Sequence, residues 1–562
     1  MNKFHLLKTS LLAAVLLPGL VAAADRVGDF SLLDQDGIFH SMSWYDDHVA
    51  IALLVQVIDS EASEAAFPDF QALQQKYDSQ GIEFMMINPM GKMNRSEIQS
   101  VVEMLGTDIP VLMDDARVIS QAMGIDKAGE VFIFNPKSFR VEFRGPVAAS
   151  EQALQELLAS AQVSNPIVAA TGSPVLYPET QSLSYQNDIA PIIAENCASC
   201  HRDGGIAPFA MDSHAMLQGW SPMIREVLMT KRMPPGQVDS HVGEFINDML
   251  ISETEVQAII QWVDAGAPID GDRDPLAELS WPTSKWAFGE PDLILEIPEQ
   301  FVPATGVLDY RHIDVVIDLG GKDRWLRGSE YIPSDRTVLH HTVNNLIDPG
   351  QIGRRSSPDQ ANITAYIPGA TPKMAPPNTG GLLRDGAVLK LNMHYTTNGK
   401  ESVDRGEIGL WFYPEGDVPT ERMSGRCACI FTPDWINIPP FDPAFEQTRT
   451  ITIAQDAYIH SMLPHMHFRG KSMRFVAEYP DGSTEELINI ANYNYNWQLS
   501  YTYEEPKFVP AGTRITAIGT FDNSAQNPAN PDPSRSVPWG QQSWDEMFFG
   551  SVRWKNVDQG GN

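Results

Sequence analysis

Cysteine, long apolar runs and positive charge are all scarce in this sequence. Four cysteines occur among 562 residues, so disulfide bonds cannot be the main support of so long a chain. Beyond the N-terminus, no stretch approaches the ~18 apolar residues that a membrane-spanning helix needs. The formal net charge is -32, and such a surface repels a phosphate backbone. The sequence therefore predicts neither a membrane span nor a nucleic-acid partner.

The N-terminus has the pattern of a secretory signal peptide. Lys3 and Lys8 precede an apolar run over residues 11–20, and small residues follow up to Ala24. A short apolar core that ends in small residues is typical of a cleaved export signal. We therefore expect residues 1–24 to be removed and the mature protein to be periplasmic or secreted. The remaining length predicts roughly three to four domains.

Residues 25–165 have the pattern of an α/β domain, because apolar β-type runs alternate with amphipathic helical stretches. The segment 27–37 resembles the start of thioredoxin-like redoxin and peroxiredoxin domains. In that family a reactive cysteine follows the first long strand, but the matching stretch, 57–63, contains none. Gly129 stands near the position of the family's cis-proline. Since thiol–disulfide and peroxidase chemistry require a thiolate, we expect this domain to act as a scaffold or docking surface.

A haem-attachment motif follows a polar linker. Cys197-Ala198-Ser199-Cys200-His201 places two thiols on one turn, where each can bond a haem vinyl group, and the histidine can bind the iron. Residues 183–268 resemble a class I cytochrome c domain, which implies an all-α fold with one haem c. Of the nearby methionines we favour Met233 as the second iron ligand, because Pro234 and Pro235 fix the backbone that follows it.

The C-terminal half changes to short alternating strands separated by Gly, Pro and Asn turns. Over ~270 residues this pattern predicts two β-sandwiches, which we expect at 290–430 and 431–560. Five histidines of this half form a pattern: His340, His341, His394, His465 and His467. Histidines at i and i+2 share one face of a strand, whereas adjacent ones need a strand end or a bend to reach one metal. Imidazole clusters of this kind, with a soft methionine nearby, suit copper.

Four segments around these residues resemble the type II, ascorbate-dependent copper monooxygenases, in the same order along the chain. They are the segments at His340-His341, at His394, at His465-Met466-His467 and at Asp545-Glu546-Met547. The resemblance implies two jelly-roll sandwiches that face each other across a solvent-filled cleft and hold two coppers per chain. It implies that His340, His341 and His394 bind an electron-storing copper. It also implies that His465, His467 and Met547 bind the catalytic copper that meets O2.

The sequence thus predicts an exported copper monooxygenase that uses O2 to hydroxylate a C–H bond of a small-molecule substrate. Electrons would pass through the haem from an external donor, either an ascorbate-like reductant or a redox protein. Leu463 and Ser551 stand where the peptide-amidating members have an Arg and a Tyr that hold a peptide carboxylate, which argues against peptides ending in glycine.

Two other functions stay open at this stage. One is a non-catalytic haem and copper electron-transfer protein. The other is a docking module in which the thiol-less redoxin domain delivers electrons to another exported enzyme. For Cys427 and Cys429, a structural disulfide, a free pair and a metal relay all remain possible, and we do not expect them in the active site. Tyr495 and Trp497 are expected in the sandwich core.

Overall fold

The structure is a computed structural model that describes residues 26–178, 182–281, 284–351, 357, 359–369 and 372–557. The expected signal peptide, residues 1–24, lies outside the described residues. Within these ranges, no helix has both the length and the apolar character needed to cross a membrane. Along the chain the described residues form an α/β region, a helical segment and two β-rich regions.

The first region is a seven-stranded sheet with helices. Its elements are β1 (Ser31–Leu33), β2 (Phe39–Ser41), β3 (Ala50–Val55), α1 (Glu61–Tyr77), β4 (Ile82–Asn88), α2 (Arg95–Leu105), β5 (Val111–Met113), α3 (Val118–Met123), β6 (Glu130–Asn135), β7 (Arg140–Pro146) and α4 (Val147–Leu158). The strand order is β2-β1-β5-β4-β3-β6-β7. Strands β3, β4 and β5 are parallel, and β6 is antiparallel to β3. This is a thioredoxin-like arrangement, so the α/β prediction is confirmed.

Two serine side chains in the turn after β3 bond to the backbone. The Ser60 side chain caps α1, and the Ser63 hydroxyl donates to the carbonyl of Val55 over 3.1 Å. Gly129, at φ +74°, approaches this turn so closely that a Cβ atom would lie 2.5 Å from the carbonyl oxygen of Ala62. The turn after β3 is thus held by hydroxyl–backbone hydrogen bonds and a close glycine contact, and it contains no thiol.

The helical segment comprises a π-helical turn (Tyr185–Ile189), α5 (Ala190–Asn196), α6 (His214–Met229) and α7 (Glu253–Asp264). The predicted capping box at Ser252 and Glu255 is present at the start of α7. These helices cover one face of the redoxin sheet, because Leu53 of β3 shares a core cluster with Tyr185 and Trp262. The opposite face of β3 packs its own helix α1 through Leu54. The redoxin sheet thus serves as a platform for the helical segment.

The first β-rich region has three sheets. Its strands are β8 (Leu293–Glu296), β9 (Gln300–Val302), β10 (Arg311–Val316), β11 (Arg324–Ile332), β12 (Leu339–Ile347), β13 (Lys373–Met374), β14 (Gly381–Leu383), β15 (Val388–Tyr395), β16 (Ser402–Asp404) and β17 (Glu407–Phe412). Strands β10-β15-β12 form one sheet, β13-β11-β17-β8 with β14 form a second, and β16-β9 form a small third. Leu391 of β15 and Ile408 of β17 belong to one buried cluster, so the two larger sheets pack face to face.

The second β-rich region is a sandwich of two four-stranded sheets. Its strands are β18 (Met423–Ile430), β19 (Phe445–Thr452), β20 (Ala457–His465), β21 (Gly470–Glu478), β22 (Thr484–Ile490), β23 (Tyr501–Val509), β24 (Arg514–Phe521) and β25 (Phe548–Asn556). The sheet orders are β18-β25-β20-β23 and β19-β24-β21-β22. Because β18 pairs with β25, the second sandwich begins at Met423, before the boundary expected at residue 430.

The α/β region, the helical segment and the second sandwich meet at one buried carboxylate. Asp239, in the loop after α6, accepts from Arg95 of α2 over 2.5 Å and from the side-chain amide of Asn489 of β22 over 3.1 Å. The same amide of Asn489 donates to the carbonyl of Gly37 over 2.9 Å. Burial opposes the ionisation of Asp239, but a hydrogen bond from His241 and the charge of Arg95 outweigh burial and lower the pKa of the carboxyl to about 2.

Because the pKa of Asp239 is low, we predict that the stability of the fold falls as the pH is lowered from 7 to 2. The carboxylate stabilises the fold above its unfolded pKa of ~3.9, and this contribution is lost as pH falls towards 2. We expect Asp239→Asn to lower stability at pH 7 by about 3 kcal/mol, as for one broken buried pair, and to make no difference near pH 2. Thermal unfolding midpoints of both proteins between pH 2 and 7 measure this difference in stability.

The control Asp264→Asn breaks an exposed pair with Arg225 and should change the unfolding midpoint little. A constant gap across this pH range would contradict the prediction.

Candidate copper and haem sites

A β-bulge allows the two adjacent histidines of β12 to face one point. Leu339 lies opposite Tyr395, but the next paired residues are His341 and His394, so His340 is the extra residue of β12. An extra residue bends the strand and redirects a side chain. As a result, His340, His341 and His394 each offer a nitrogen, and these atoms lie within 4.8 Å of one another. The structure therefore contains the bend that the sequence requires for a shared metal.

His465 and His467 lie together at the end of β20. Their ring centroids are 5.2 Å apart. The Nδ1 atom of His467 lies 3.3 Å from the carbonyl oxygen of Asp545, and its backbone N–H donates to Glu546 over 2.8 Å. Met547 comes next in the chain, directly before β25, whose Phe549 lies opposite His465. Met547 and Phe549 are two residues apart, and the role of Met547 as a metal ligand stays a prediction.

Glu546 organises the backbone around this second set. It is completely buried, and it accepts from the backbone N–H groups of His467, Arg469 and Met547 over 2.8, 2.7 and 3.3 Å. Burial raises the pKa of Glu546 to about 8, although these N–H groups act in the opposite direction. One carboxyl group therefore holds both the histidine turn and the methionine turn.

The two histidine sets form one buried cluster, in contrast to the solvent-filled cleft that the resemblance implies. His341 is 5% exposed and His467 is 2% exposed. Burial lowers the pKa of His394 and His465 to about 4, and that of His467 to about 3. The pKa of His341 lies well below its ordinary value because of burial and of repulsion from the histidines of both sets. At neutral pH these imidazoles are uncharged, which is the form that binds a metal.

A single loop between β22 and β23 contacts both sets. The ring of Tyr495 stacks on His340 at a centroid distance of 4.8 Å, and its hydroxyl lies 3.4 Å from Nδ1 of His394. The side-chain oxygen of Asn496 lies 3.2 Å from Nε2 of His340. The side-chain oxygen of Gln498 lies 2.7 Å from Nδ1 of His465. Hydrogen bonds of this kind fix the ring orientation and tautomer of a metal ligand.

Sequence reasoning missed this loop as part of the site. Tyr495 does belong to the buried cluster of the second sandwich, as expected, but it also contacts the histidines of the first. The one available signal was the run of amides between aromatic residues over 492–498. Such a run is uncommon in a core, where each amide needs a partner. The partners lie more than 30 residues away, so the pattern alone did not reveal them.

The haem-attachment motif forms a compact turn at the end of α5. Cys197 and Cys200 form no disulfide, and the backbone N–H of His201 donates to the carbonyl of Cys197 over 2.9 Å. The His201 Nδ1 atom lies 3.1 Å from the carbonyl oxygen of Phe209. This leaves Nε2 of a largely buried imidazole for an iron atom, so the residues present fit a c-type haem.

Met233 lies on the wall of a large cavity. The cavity, about 760 Å³, lies between the redoxin region, the loop after α6 and the second sandwich, and Tyr495 and Asn496 line it as well. Met233 is 37% exposed, whereas the ring and backbone of His201 bond to Phe209 and Met211. The assignment of Met233 as an iron ligand stays a prediction.

Cys427 and Cys429 form a disulfide within β18. Of the alternatives open from the sequence, the structure therefore selects the oxidised pair. The intervening Ala428 is completely buried in the second sandwich, so the two cysteines lie on the outer face of the sheet. The cluster of five histidines lies beside the same face, through His465.

Part of this chain matches solved structures of other proteins. No family model matches the chain, and no curated protein matches it. Among solved structures, the peroxidoxin BcpB from Mycobacterium tuberculosis is 15% identical over 25% of this chain and 96% of that chain, with a TM-score of 0.21. A thioredoxin-family thiol:disulfide interchange protein from Chlorobium tepidum TLS is 18% identical over 24% of this chain and 98% of that chain, with a TM-score of 0.21.

A third solved structure is the exposed lipoprotein thioredoxin from Streptococcus pneumoniae strain TIGR4. It is 18% identical over 23% of this chain and 99% of that chain, with a TM-score of 0.21. Scores this low carry no assignment of family or activity. The thioredoxin-like assignment of the first region therefore rests on its strand order.

The role of Glu546 leads to a prediction about metal affinity. In Glu546→Gln an amide NH2 replaces one acceptor oxygen and faces backbone N–H groups. We expect a ~10–100-fold loss of copper affinity at His465 and His467, as for other outer-shell changes, with no change at His340, His341 and His394. Competition titration with a copper chelator measures both affinities. The control is Glu330→Gln, whose carboxylate accepts from Ala287. An affinity at His465 and His467 that is unchanged from wild type in Glu546→Gln would contradict the prediction.

Proposed function

We propose that this protein is an exported copper-dependent monooxygenase that inserts one oxygen atom of O2 into a C–H bond of a small molecule. The observation that carries the proposal is the buried cluster of neutral histidines, in which a β-bulge joins His340 and His341 to His394. The second set, His465, His467 and Met547, has two imidazoles and a weak thioether, a donor combination that suits copper and leaves a coordination position open. Periplasmic or secreted localisation is part of the proposal.

The two sets of ligands would bind two metal ions with different roles. Bound copper would supply one-electron transfer and O2 activation, and bound haem would supply one-electron transfer. His340, His341 and His394 would hold the electron-storing ion, and His465, His467 and Met547 the ion at which substrate reacts. Asn496 and Gln498 accept hydrogen bonds from ring nitrogens and thereby select which imidazole nitrogen faces the metal. His341 and His467 are themselves shielded from bulk water.

We further propose that residues 183–268 form a cytochrome c domain whose haem reduces the copper cluster. Cys197 and Cys200 would bind the haem and His201 its iron, with Met233 as the candidate second ligand. The loop after α6 and the Tyr495 loop line the same cavity. Tyr495 in turn stacks on His340, so this ring would be the step between the cavity and the first histidine set. The external donor would be an ascorbate-like reductant or a redox protein.

A non-catalytic haem and copper electron-transfer protein is the second candidate. The burial of the histidine cluster favours it, because a substrate must reach a site that is nearly closed. This candidate predicts copper and haem binding without oxygen consumption in the presence of any substrate.

Metal content and oxygen uptake together test the main proposal. We expect two coppers and one haem iron per chain, and copper-dependent oxygen uptake with a member of a panel of small aromatic, aliphatic and peptide compounds. Met547→Leu keeps the side-chain volume but removes the thioether. It should abolish uptake, a loss of at least 100-fold, while His340, His341 and His394 still bind copper. The control Met423→Leu lies at the far end of β18 and should behave as wild type. Copper binding with no uptake across the panel, or full uptake in Met547→Leu, would contradict the proposal.

The proposed path through Tyr495 has its own test. Tyr495→Leu removes the ring that stacks on His340, and we expect haem oxidation by bound Cu(II) to slow at least tenfold. Anaerobic stopped-flow mixing of ferrous protein with Cu(II) follows the haem absorption directly. Tyr495→Phe keeps the ring and should stay close to wild type, as should Tyr458→Leu at the other end of β20. An unchanged rate in Tyr495→Leu would exclude this path.

A further inference from the structure

The Cys427–Cys429 disulfide lies in register with the proposed catalytic copper ligands. Across the sheet β18-β25-β20, Cys429 lies opposite Phe549, and Phe549 lies opposite His465. In the neighbouring row, Cys427 lies opposite Ser551, which lies opposite Leu463. Directly opposed residues of an antiparallel sheet point to the same face, so the disulfide and His465 share one face of this sheet.

The separation between the disulfide and His465 is short enough for electron transfer and too long for a shared metal. Adjacent strands lie ~4.8 Å apart, so two strand spacings place the backbones of Cys429 and His465 about 10 Å apart. The ring of Phe549 fills this interval, with its centroid 5.6 Å from that of His465. The cysteine pair is therefore a neighbour of the metal site and not part of its ligand set.

The two sulfur atoms differ in their access to solvent. Cys427 is exposed, whereas Cys429 is 9% exposed and lies next to Phe549. A thiolate from solution can thus attack the sulfur of Cys427, which is the requirement for thiol–disulfide exchange. A disulfide that closes so short a loop also has the smallest effect on the entropy of the unfolded chain. The position of the Cys427–Cys429 disulfide and the short loop that it closes therefore favour a redox role over a structural one.

We propose that Cys427 and Cys429 are a two-electron redox couple that reduces the copper cluster, an inference that rests on the proposed function. A thiol donor, either an exported dithiol protein or a small thiol, attacks the Cys427 sulfur and forms a mixed disulfide. A second donor thiolate resolves it, so the donor becomes a disulfide and the pair becomes two thiols. The two thiols then lose two electrons and two protons, the disulfide re-forms, and two Cu(II) ions become two Cu(I) ions. Each turnover of a monooxygenase needs two electrons, which matches this couple.

The test uses the full, haem-containing chain. The protein is reduced with a dithiol, desalted without oxygen, and its thiols are counted by alkylation; we expect two, because the haem cysteines are thioethers. Two equivalents of Cu(II) are then added anaerobically. In wild type we expect the Cu(II) paramagnetic resonance signal and both alkylatable thiols to disappear together. In C427S/C429S the signal of bound Cu(II) should persist, apart from the one equivalent that a ferrous haem can reduce. The haem absorption, recorded in the same sample, counts electrons that come from the haem.

A second variant tests whether the reacting copper is the one beside the disulfide. His465→Ala keeps both cysteines but removes a ligand, and we expect thiol oxidation to slow at least tenfold. Comparing the rate of thiol oxidation in His465→Ala with that in wild type tests the inference even if C427S/C429S fails to fold. Thiols that stay reduced beside a persistent Cu(II) signal, thiols that only bind Cu(I), or equally fast oxidation in His465→Ala would each overturn the inference. These results leave the copper sites intact, whereas the absence of bound copper in either oxidation state in folded C427S/C429S would overturn the proposed function as well.

Discussion

The ion pair between Arg95 and Asp239 is the buried charged contact at the point where three regions of the protein meet. Asp239 is buried and lies six residues after Met233, while a second partner, Asn489, lies one residue before the end of the strand that leads into the Tyr495 loop. The pair therefore determines where both segments lie relative to the redoxin platform. A buried carboxylate without these partners would be strongly unfavourable, so this pair adds a specific polar contact to the apolar cores that join the three regions.

The second constraint is the burial of the histidine cluster. An imidazole that is removed from water is harder to protonate, and the low pKa values of His394, His465 and His467 follow from this. Neutral imidazoles offer a lone pair without competition from protons. The amide oxygens of Asn496 and Gln498 then hold individual rings in place. The same burial that prepares the ligands also narrows the route by which a substrate can reach them.

The redoxin region illustrates how a fold can be kept when its chemistry is absent. Its sheet has the thioredoxin-like strand order, yet the turn after β3 holds Ser60 and Ser63 and no cysteine. One sheet face buries the helices of the next segment, including Trp262. The disulfide of the chain lies instead in the second sandwich, at Cys427 and Cys429. Scaffold and redox group are thus found in different regions of the same chain.

The sequence by itself determined the local features: the α/β alternation of the first region, the turn that carries Cys197 and His201, the capping box at Ser252, and the need for a bend at His340 and His341. Each follows from residues that are close in the chain, where periodicity and side-chain chemistry act directly. Only the tertiary structure decided that Tyr495 contacts the histidines, that β18 joins the second sandwich, and that Cys429 lies in a row with His465. These depend on strand pairing between residues many tens of positions apart. Such pairing is set by the packing of whole sheets, which local patterns do not encode.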